Sequence, residues 1–215
     1  VDRGAYTASQ SPRSNDIGQL KGDIMSQQVL NQPVAATALP TGTWSIDPDH
    51  SRVGFSIRHL GIETIHGEFT SFEGAIEVGG DQQPGVQAHG SVAVASIFTH
   101  QPRRDDHLRS ADFFDAESYP TVTFSSTGIE AAEDGTLLIS GDLTMHGVTN
   151  EVLLGAIFEG TAVDQFGNER LSLEVTGELS RGDYGVSFNL PLDGGAKLLG
   201  ERVRLELGIS AIRQS

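Results

Sequence analysis

The chain has 215 residues, 29 acidic against 14 basic side chains, a formal net charge of -15 and no cysteine. Disulfides and thiolate chemistry are thereby excluded, any zinc site would need His and carboxylate ligands, and so acidic a surface repels nucleic-acid phosphates and anionic lipid head groups. A hydrophobic content of 37% suffices for the core of one domain, and no apolar run reaches the roughly 18 residues of a membrane span.

Residues 1–40 are rich in Ser, Gln, Asn, Gly and Pro and carry no sustained periodicity. Composition predicts a disordered or loosely ordered leader there, with 1–24 read as an expression-vector leader and Met25 as the native start, and a single domain over 41–215. The stretch "VLNQPVAATALP" lacks a basic n-region, and Asn31, Gln32 and Pro33 interrupt its apolar character. No signal peptide is predicted, and the expected location is cytoplasmic.

From Thr43 onward a period of two dominates. In "SRVGFSIRH", Val53, Phe55, Ile57 and His59 share one face, while Arg52, Gly54, Ser56 and Arg58 share the other. Val122 and Phe124 alternate inward in "TVTFSS", as do Leu171, Leu173, Val175 and Leu179 in "RLSLEVTGEL". Val203, Leu205, Leu207 and Ile209 do the same near the C-terminus. One dry face and one wet face describe antiparallel sheet. Gly79-Gly80, Asp134-Gly135, His146-Gly147, Phe166-Gly167-Asn168 and Gly194-Gly195 punctuate the runs as turns. About eight strands at hairpin spacing suit a sandwich or an up-and-down barrel. The barrel is preferred because closure removes exposed sheet edges, and eight strands leave room for side chains or one small ligand.

One stretch breaks the pattern: "QPRRDDHLRSADFFDAESYPTVTF", Gln101 to Phe124. A short helix is expected from Thr99 or His100 to about Ser110, with Pro102 in its first turn, Asp105 and Asp106 at its positive end and Arg109 at the other. An Asp105–Arg109 ion pair and an Asp112 cap over Phe113 and Phe114 are expected, so helix electrostatics alone explain much of the charge. As a metal site the cluster is poor, because consecutive Asp105, Asp106 and His107 fan around a helix, and the spacing of His59 and His66 requires no ligand role. No serine lies in a G-x-S-x-G elbow. A pocket fits better: the helix and Phe113-Phe114 would lid an apolar cavity, with His107 and Arg109, and His59 from a strand end, meeting a polar head group.

Four separated motifs occur in order: "WSIDPDHSRVGFSIRHLGIETIHGEFTSFEGAIEV", "RRDDHLRSADFFDAESYPTVTFSST", "GDLTMHGVTNEVLL" and "LSRGDYGV". Together they resemble the YceI-like family of polyisoprenoid-binding proteins, over about Trp44 to Ile212. The resemblance implies an all-β fold: an extended antiparallel eight-stranded, lipocalin-like barrel with a short helical insert near one opening and a long pore. It also implies a carrier of a polyprenyl chain, an isoprenoid quinone or a fatty amide, often as a homodimer. Carried over by motif, Phe55, Ile57, Phe69, Phe72, Phe113, Phe114, Phe124 and Leu143 would line the pore, and His59, Asp106, His107 and Arg109 would meet the head group. Exported members carry a signal peptide and are periplasmic, a feature not found here.

The expectation is therefore non-catalytic binding of a long-chain lipid, with no metal and no cofactor besides that lipid. Two alternatives stay open. One is an enzyme acting on an apolar substrate with His107, Asp106 and His59 as acid and base; the other is a structural or interaction domain whose barrel is filled by its own side chains.

Overall fold

A computed structural model describes residues 39–79, 85–191 and 197–215. Of the expected leader, 1–38 lies outside the described residues, as do Gly80 and the Gly194-Gly195 turn. Leu39 and Pro40, at the end of that segment, join the barrel. Leu39 is buried with the core, and the Pro40 carbonyl accepts the Trp44 Nε1–H at 3.0 Å.

The alternating runs form strands β1 (Gly42–Ile46), β2 (Arg52–His59), β3 (Glu63–Phe69), β4 (Phe72–Val78), β5 (Val86–Ala93), β6 (Ile97–Phe98), β7 (Thr121–Ala131), β8 (Leu137–Met145), β9 (Val148–Val163), β10 (Glu169–Ser180) and β11 (Leu199–Arg213). Three long strands are bent. β1 and β2 both pair with β11 and are divided by a 3-10 turn at Pro48–His50, whose start is capped by Asp47. β3 and β4 return beside them, and β5 continues into β6 through Val94–Ser96. Counting each bent pair once gives a closed eight-stranded antiparallel barrel in simple up-and-down order. Closure comes from β1 against β11, with Trp44 opposite Arg213 and Ile46 opposite Ala211.

The expected turn at His146-Gly147 joins β8 to β9, and both residues have positive φ (52° and 76°), the backbone that a two-residue hairpin with right-handed strand twist requires. At the barrel end carrying the Ala132–Thr136 and Asp164–Asn168 turns, a buried cluster including Leu39, Trp44, Val78, Leu171 and Ala211 fills the interior. The opposite end carries the β2–β3 and β8–β9 turns, a 3-10 turn at Arg181–Tyr184, and helix α1 (Pro102–Arg109).

Helix α1 starts later than expected. Its cap is Gln101, whose side-chain oxygen accepts from the N–H of Arg103 and Arg104, so neither Thr99 nor His100 is the cap. The turn carrying Phe113 and Phe114 forms at 111–114, but Asp112 does not cap it; its carboxylate receives His107 Nε2 at 2.8 Å instead. The expected Asp105–Arg109 pair is also absent. Successive helix residues rotate by about 100°, which sends Asp105 inward to Thr99 and leaves Asp106, one step on, to pair with Arg109 Nη1 at 3.0 Å.

Candidate functional site

The barrel is hollow. Above the buried floor lies a cavity of about 640 Å³, lined mainly by apolar side chains. That volume falls within the roughly 300–1,000 Å³ typical of small-molecule sites. Ile76, Ile139, Leu154, Leu173 and Ile209 belong both to the core cluster and to the cavity wall, so the packed end of the barrel is also the cavity's floor. The reading of a barrel filled by its own side chains does not hold.

Period two explains the wall. Val53, Phe55, Ile57 and His59 of β2 line it together, as do Val203, Leu205, Leu207 and Ile209 of β11, and Val122 and Phe124 of β7. Every expected pore residue is there: Phe55, Ile57, Phe69, Phe72, Phe113, Phe114, Phe124 and Leu143. The phenylalanines form two chains of ring contacts. Phe55 meets Phe69 at 5.8 Å between centroids, and Phe69 meets Phe114 edge-on at 6.1 Å. Phe113 and Phe188 lie 4.9 Å apart, and His107 stacks edge-on against both. Offset and edge-on ring pairs add directional attraction to their burial, so α1 and its following turn are held over the opening by aromatic packing.

The four expected head-group residues divide. His59 and His107 line the cavity, His59 with Nδ1 3.3 Å from Glu63 Oε2. Asp106 and Arg109 do not, and this corrects the sequence expectation. Asp106 points to solvent, its side chain 78% exposed. Arg109 is a clamp: Nε donates to the Ala95 carbonyl at 2.8 Å and Nη2 to the Ile97 carbonyl at 3.0 Å, tying the C-terminal turn of α1 to the bend between β5 and β6. The rotation that turns Asp105 inward necessarily turns its neighbour out.

Two arginines that the sequence reading did not place in the site line the cavity instead, Arg104 and Arg181. Arg104 donates through Nε to Thr99 Oγ1 at 2.7 Å and through Nη2 to the Thr99 carbonyl. Arg181 is 3% exposed and holds three carbonyls, with Nε on Gly200 and Nη1 on Val186 and Phe188. A signal for Arg181 was present in the chain. The inward series Leu171, Leu173, Val175, Leu179 continues in steps of two to residue 181.

Acid–base pairing of the expected kind is not formed. His107 faces Asp112, Asp106 faces Arg109, and His59 faces Glu63. Among the described residues, no three His, Asp or Glu side chains gather as metal ligands. Near Arg181, Glu201 is held below the ordinary carboxylate range chiefly by a hydrogen bond from Lys197, with Arg181 adding attraction. Burial pushes the Tyr184 phenol up, and the nearby Asp183 charge reinforces it.

The family model of the YceI-like domain matches residues 44–211. The chain belongs to the YceI-like family. This YceI-like chain is 36% identical over 194 residues to a UPF0312 protein of Ectopseudomonas mendocina, covering 89% of this chain and 98% of the relative. A UPF0312 protein of Pseudomonas putida is 32% identical over 198 residues, 86% of this chain and all of the relative. Among solved structures, BcnA of Burkholderia cenocepacia superposes with a TM-score of 0.65 at 19% identity, over 77% of this chain and 98% of that one. A polyisoprenoid binding domain from Saccharophagus degradans, implicated in plant cell wall breakdown, gives 0.58 at 16% identity, over 80% and 98%. At such identities the superpositions establish a shared YceI-like barrel.

Proposed function

We propose that the chain binds and carries one long-chain apolar lipid of the polyisoprenoid, isoprenoid-quinone or fatty-amide class, without chemically altering it. The observation that carries this reading is the cavity: about 640 Å³ of apolar-lined space in a barrel closed at one end and roofed by aromatic side chains at the other. Each methylene moved from water into such a wall contributes up to about 0.8 kcal/mol, so a hydrocarbon tail binds without polar contacts along its length. The Saccharophagus degradans domain, which shares the barrel, is a polyisoprenoid binding domain, and this supports the choice of lipid class.

Exposed apolar side chains flank the open end, with Leu60 and Ile62 at the β2–β3 turn and Leu190 on the segment leading toward β11. A greasy rim of this kind lowers the cost of passing a tail from another apolar phase into the barrel. The non-catalytic reading is supported by the side-chain pairing, because His107, Asp106 and His59 each engage a different partner rather than one another.

Native mass spectrometry of the purified protein tests the proposal. The expected result is a co-purifying lipid, or stoichiometric uptake of an added prenyl compound recovered unchanged. Phe55→Asp should abolish that uptake, since Phe55 stands on the wall beside Phe69 and a carboxylate there would be stranded in hydrocarbon surroundings. A folded Phe55→Asp protein that takes up lipid normally would remove the cavity from the account, and a chemically altered lipid would favour the enzyme.

A further inference from the structure

Several strands carry a glycine at an inward position, and a neighbouring side chain covers most of them. A β-carbon added at Gly67 would run into the Phe55 ring, at Gly141 into the Phe124 ring and at Gly177 into the Leu154 Cδ2 methyl. At Gly74 it would stand 2.8 Å from Ile46 Cδ1. In each case a large apolar side chain lies against the wall and fills the place that the glycine leaves. Gly90 on β5 differs. Apart from its chain neighbours, only two atoms lie within 4 Å of where its β-carbon would be: the Glu73 carbonyl oxygen at 3.2 Å and Gly74 Cα at 3.9 Å. Both are main chain, and Gly90 itself lines the cavity. Glu73 and Ser91 line it too, although their parity is opposite and their side chains meet on the outer face, Oγ to Oε1 at 3.4 Å. What they present to the cavity is therefore backbone, and the wall at this point is bare.

Strand register fixes the height of this recess. Gly90 is opposite Gly74 on one side and Phe124 on the other. One pleat toward the floor, Ala88 faces Ile76; one pleat toward the opening, Val92 faces Phe72 and Val122. The bare stretch therefore lies just above the floor of the cavity. Glycine inside a strand weakens it and gives the interior nothing to pack, a sacrifice that often marks the close approach of a ligand to the backbone. We propose that the far end of the bound lipid tail rests against the main chain at Gly90, and that residue 90 sets the length of hydrocarbon the barrel accepts. The inference rests on the lipid-binding reading above and adds to it the residue that gauges the tail. A side chain here would stand two residues, roughly 7 Å, above Ala88 and Ile76 and would close the bottom of the cavity to the tail. Every two methylenes kept out of the apolar wall weaken binding roughly tenfold.

The test is displacement of a polarity-sensitive fluorophore from the cavity by geraniol, farnesol and geranylgeraniol, which share a head group and differ in the number of isoprene units. The wild type is compared with a graded series, Gly90→Ala, Gly90→Val and Gly90→Phe. The backbone at Gly90 has no positive φ, so an ordinary side chain is compatible with it, and the alanine methyl asks only a small shift of the Glu73 carbonyl. The ratio of geranylgeraniol to geraniol affinity should fall in the order of side-chain size, severalfold for valine and roughly tenfold or more for phenylalanine. Valine suits a strand, so Gly90→Val decides the matter should the phenylalanine variant fail to fold. A loss of general stability would weaken the three alcohols alike and leave that ratio where it was. An equal loss for all three, or a ratio indifferent to the size of residue 90, overturns the assignment of Gly90 alone. Failure of every alcohol to displace the fluorophore from the wild type overturns the cavity reading with it.

Discussion

Asp105 accepts the backbone N–H of Thr99 at 2.9 Å and its hydroxyl as well, and both residues are almost fully buried. This contact fastens the first turn of α1 to the chain just after β6. The carboxylate also complements the positive end of the helix, which is why an acidic residue is tolerated in so dry a place. Through the Thr99 hydroxyl the arrangement reaches Arg104 on the cavity wall.

Asp105→Ala strips the acceptor from a buried backbone N–H, and the expected loss is about 1–3 kcal/mol. Urea denaturation checks it. An unchanged midpoint would mean that the helix is held by its aromatic contacts alone.

Arg109→Ala separates a clamp from a ligand contact. The carbonyls of Ala95 and Ile97 lose their donor, and since a third of the side chain is exposed, the expected destabilisation is only about 1 kcal/mol. Discrimination between oxygen-headed and hydrocarbon probes should stay as in the wild type. A selective loss of oxygen-headed ligands would return Arg109 to the head-group site.

Acid should act first on the end of the barrel away from the opening. Asp164 receives the Asn168 side chain, the backbone N–H of Asn168 and Phe166, and Arg170 Nε, and these hold its carboxyl well below the ordinary range. Asp47 is lowered too, mainly by Arg170. In the unfolded chain both titrate near about 3.9. Their contribution is therefore complete above about pH 4 and is lost as pH falls toward the folded values, where folding releases protons that acid forces back. Asp164→Asn should flatten the acid side of a plot of unfolding free energy against pH. An acid limb as steep as in the wild type would place the sensitivity elsewhere.

Tyr184 is 2% exposed and its hydroxyl makes no hydrogen bond. Asn150 stands close to it but donates to the Asp183 carbonyl instead. Tyr184→Phe removes an unsatisfied buried group and should be neutral or stabilising by up to about 1 kcal/mol at pH 7. The phenol's raised value means that its contribution holds below about pH 10 and declines as pH rises past the unfolded value toward the folded one. The phenylalanine variant should lack that alkaline decline, which denaturation at pH 7 and pH 10.5 would reveal. A variant less stable than the wild type at pH 7 would show that the hydroxyl has a partner, such as a bound water.

The strands and the greasy wall were legible in the chain because a strand has only two faces. Once Val53, Phe55 and Ile57 are apolar, the pleat puts them on one side whatever lies beyond, and burial chooses that side. The turn at His146-Gly147 was legible for a similar local reason, the left-handed backbone of a tight hairpin. A helix offers no such binary choice. Its residues rotate by about 100° each, and eight residues as polar as Pro102–Arg109 carry no apolar stripe to set the rotation. Only contact with Thr99, Ala95 and Ile97 decided that Asp105 turns in, Asp106 turns out and Arg109 clamps the rim. Arg181 lies between these cases. Its parity in β10 pointed inward from sequence alone, but the three carbonyls that spend part of its guanidinium come from Gly200, Val186 and Phe188. Local periodicity and turn spacing thus determined which side chains face the interior and about how many strands the barrel has, while the orientation of the helix and the carbonyl partners of a buried arginine came from long-range packing. Those are satisfied by groups distant along the chain, and no short stretch encodes them.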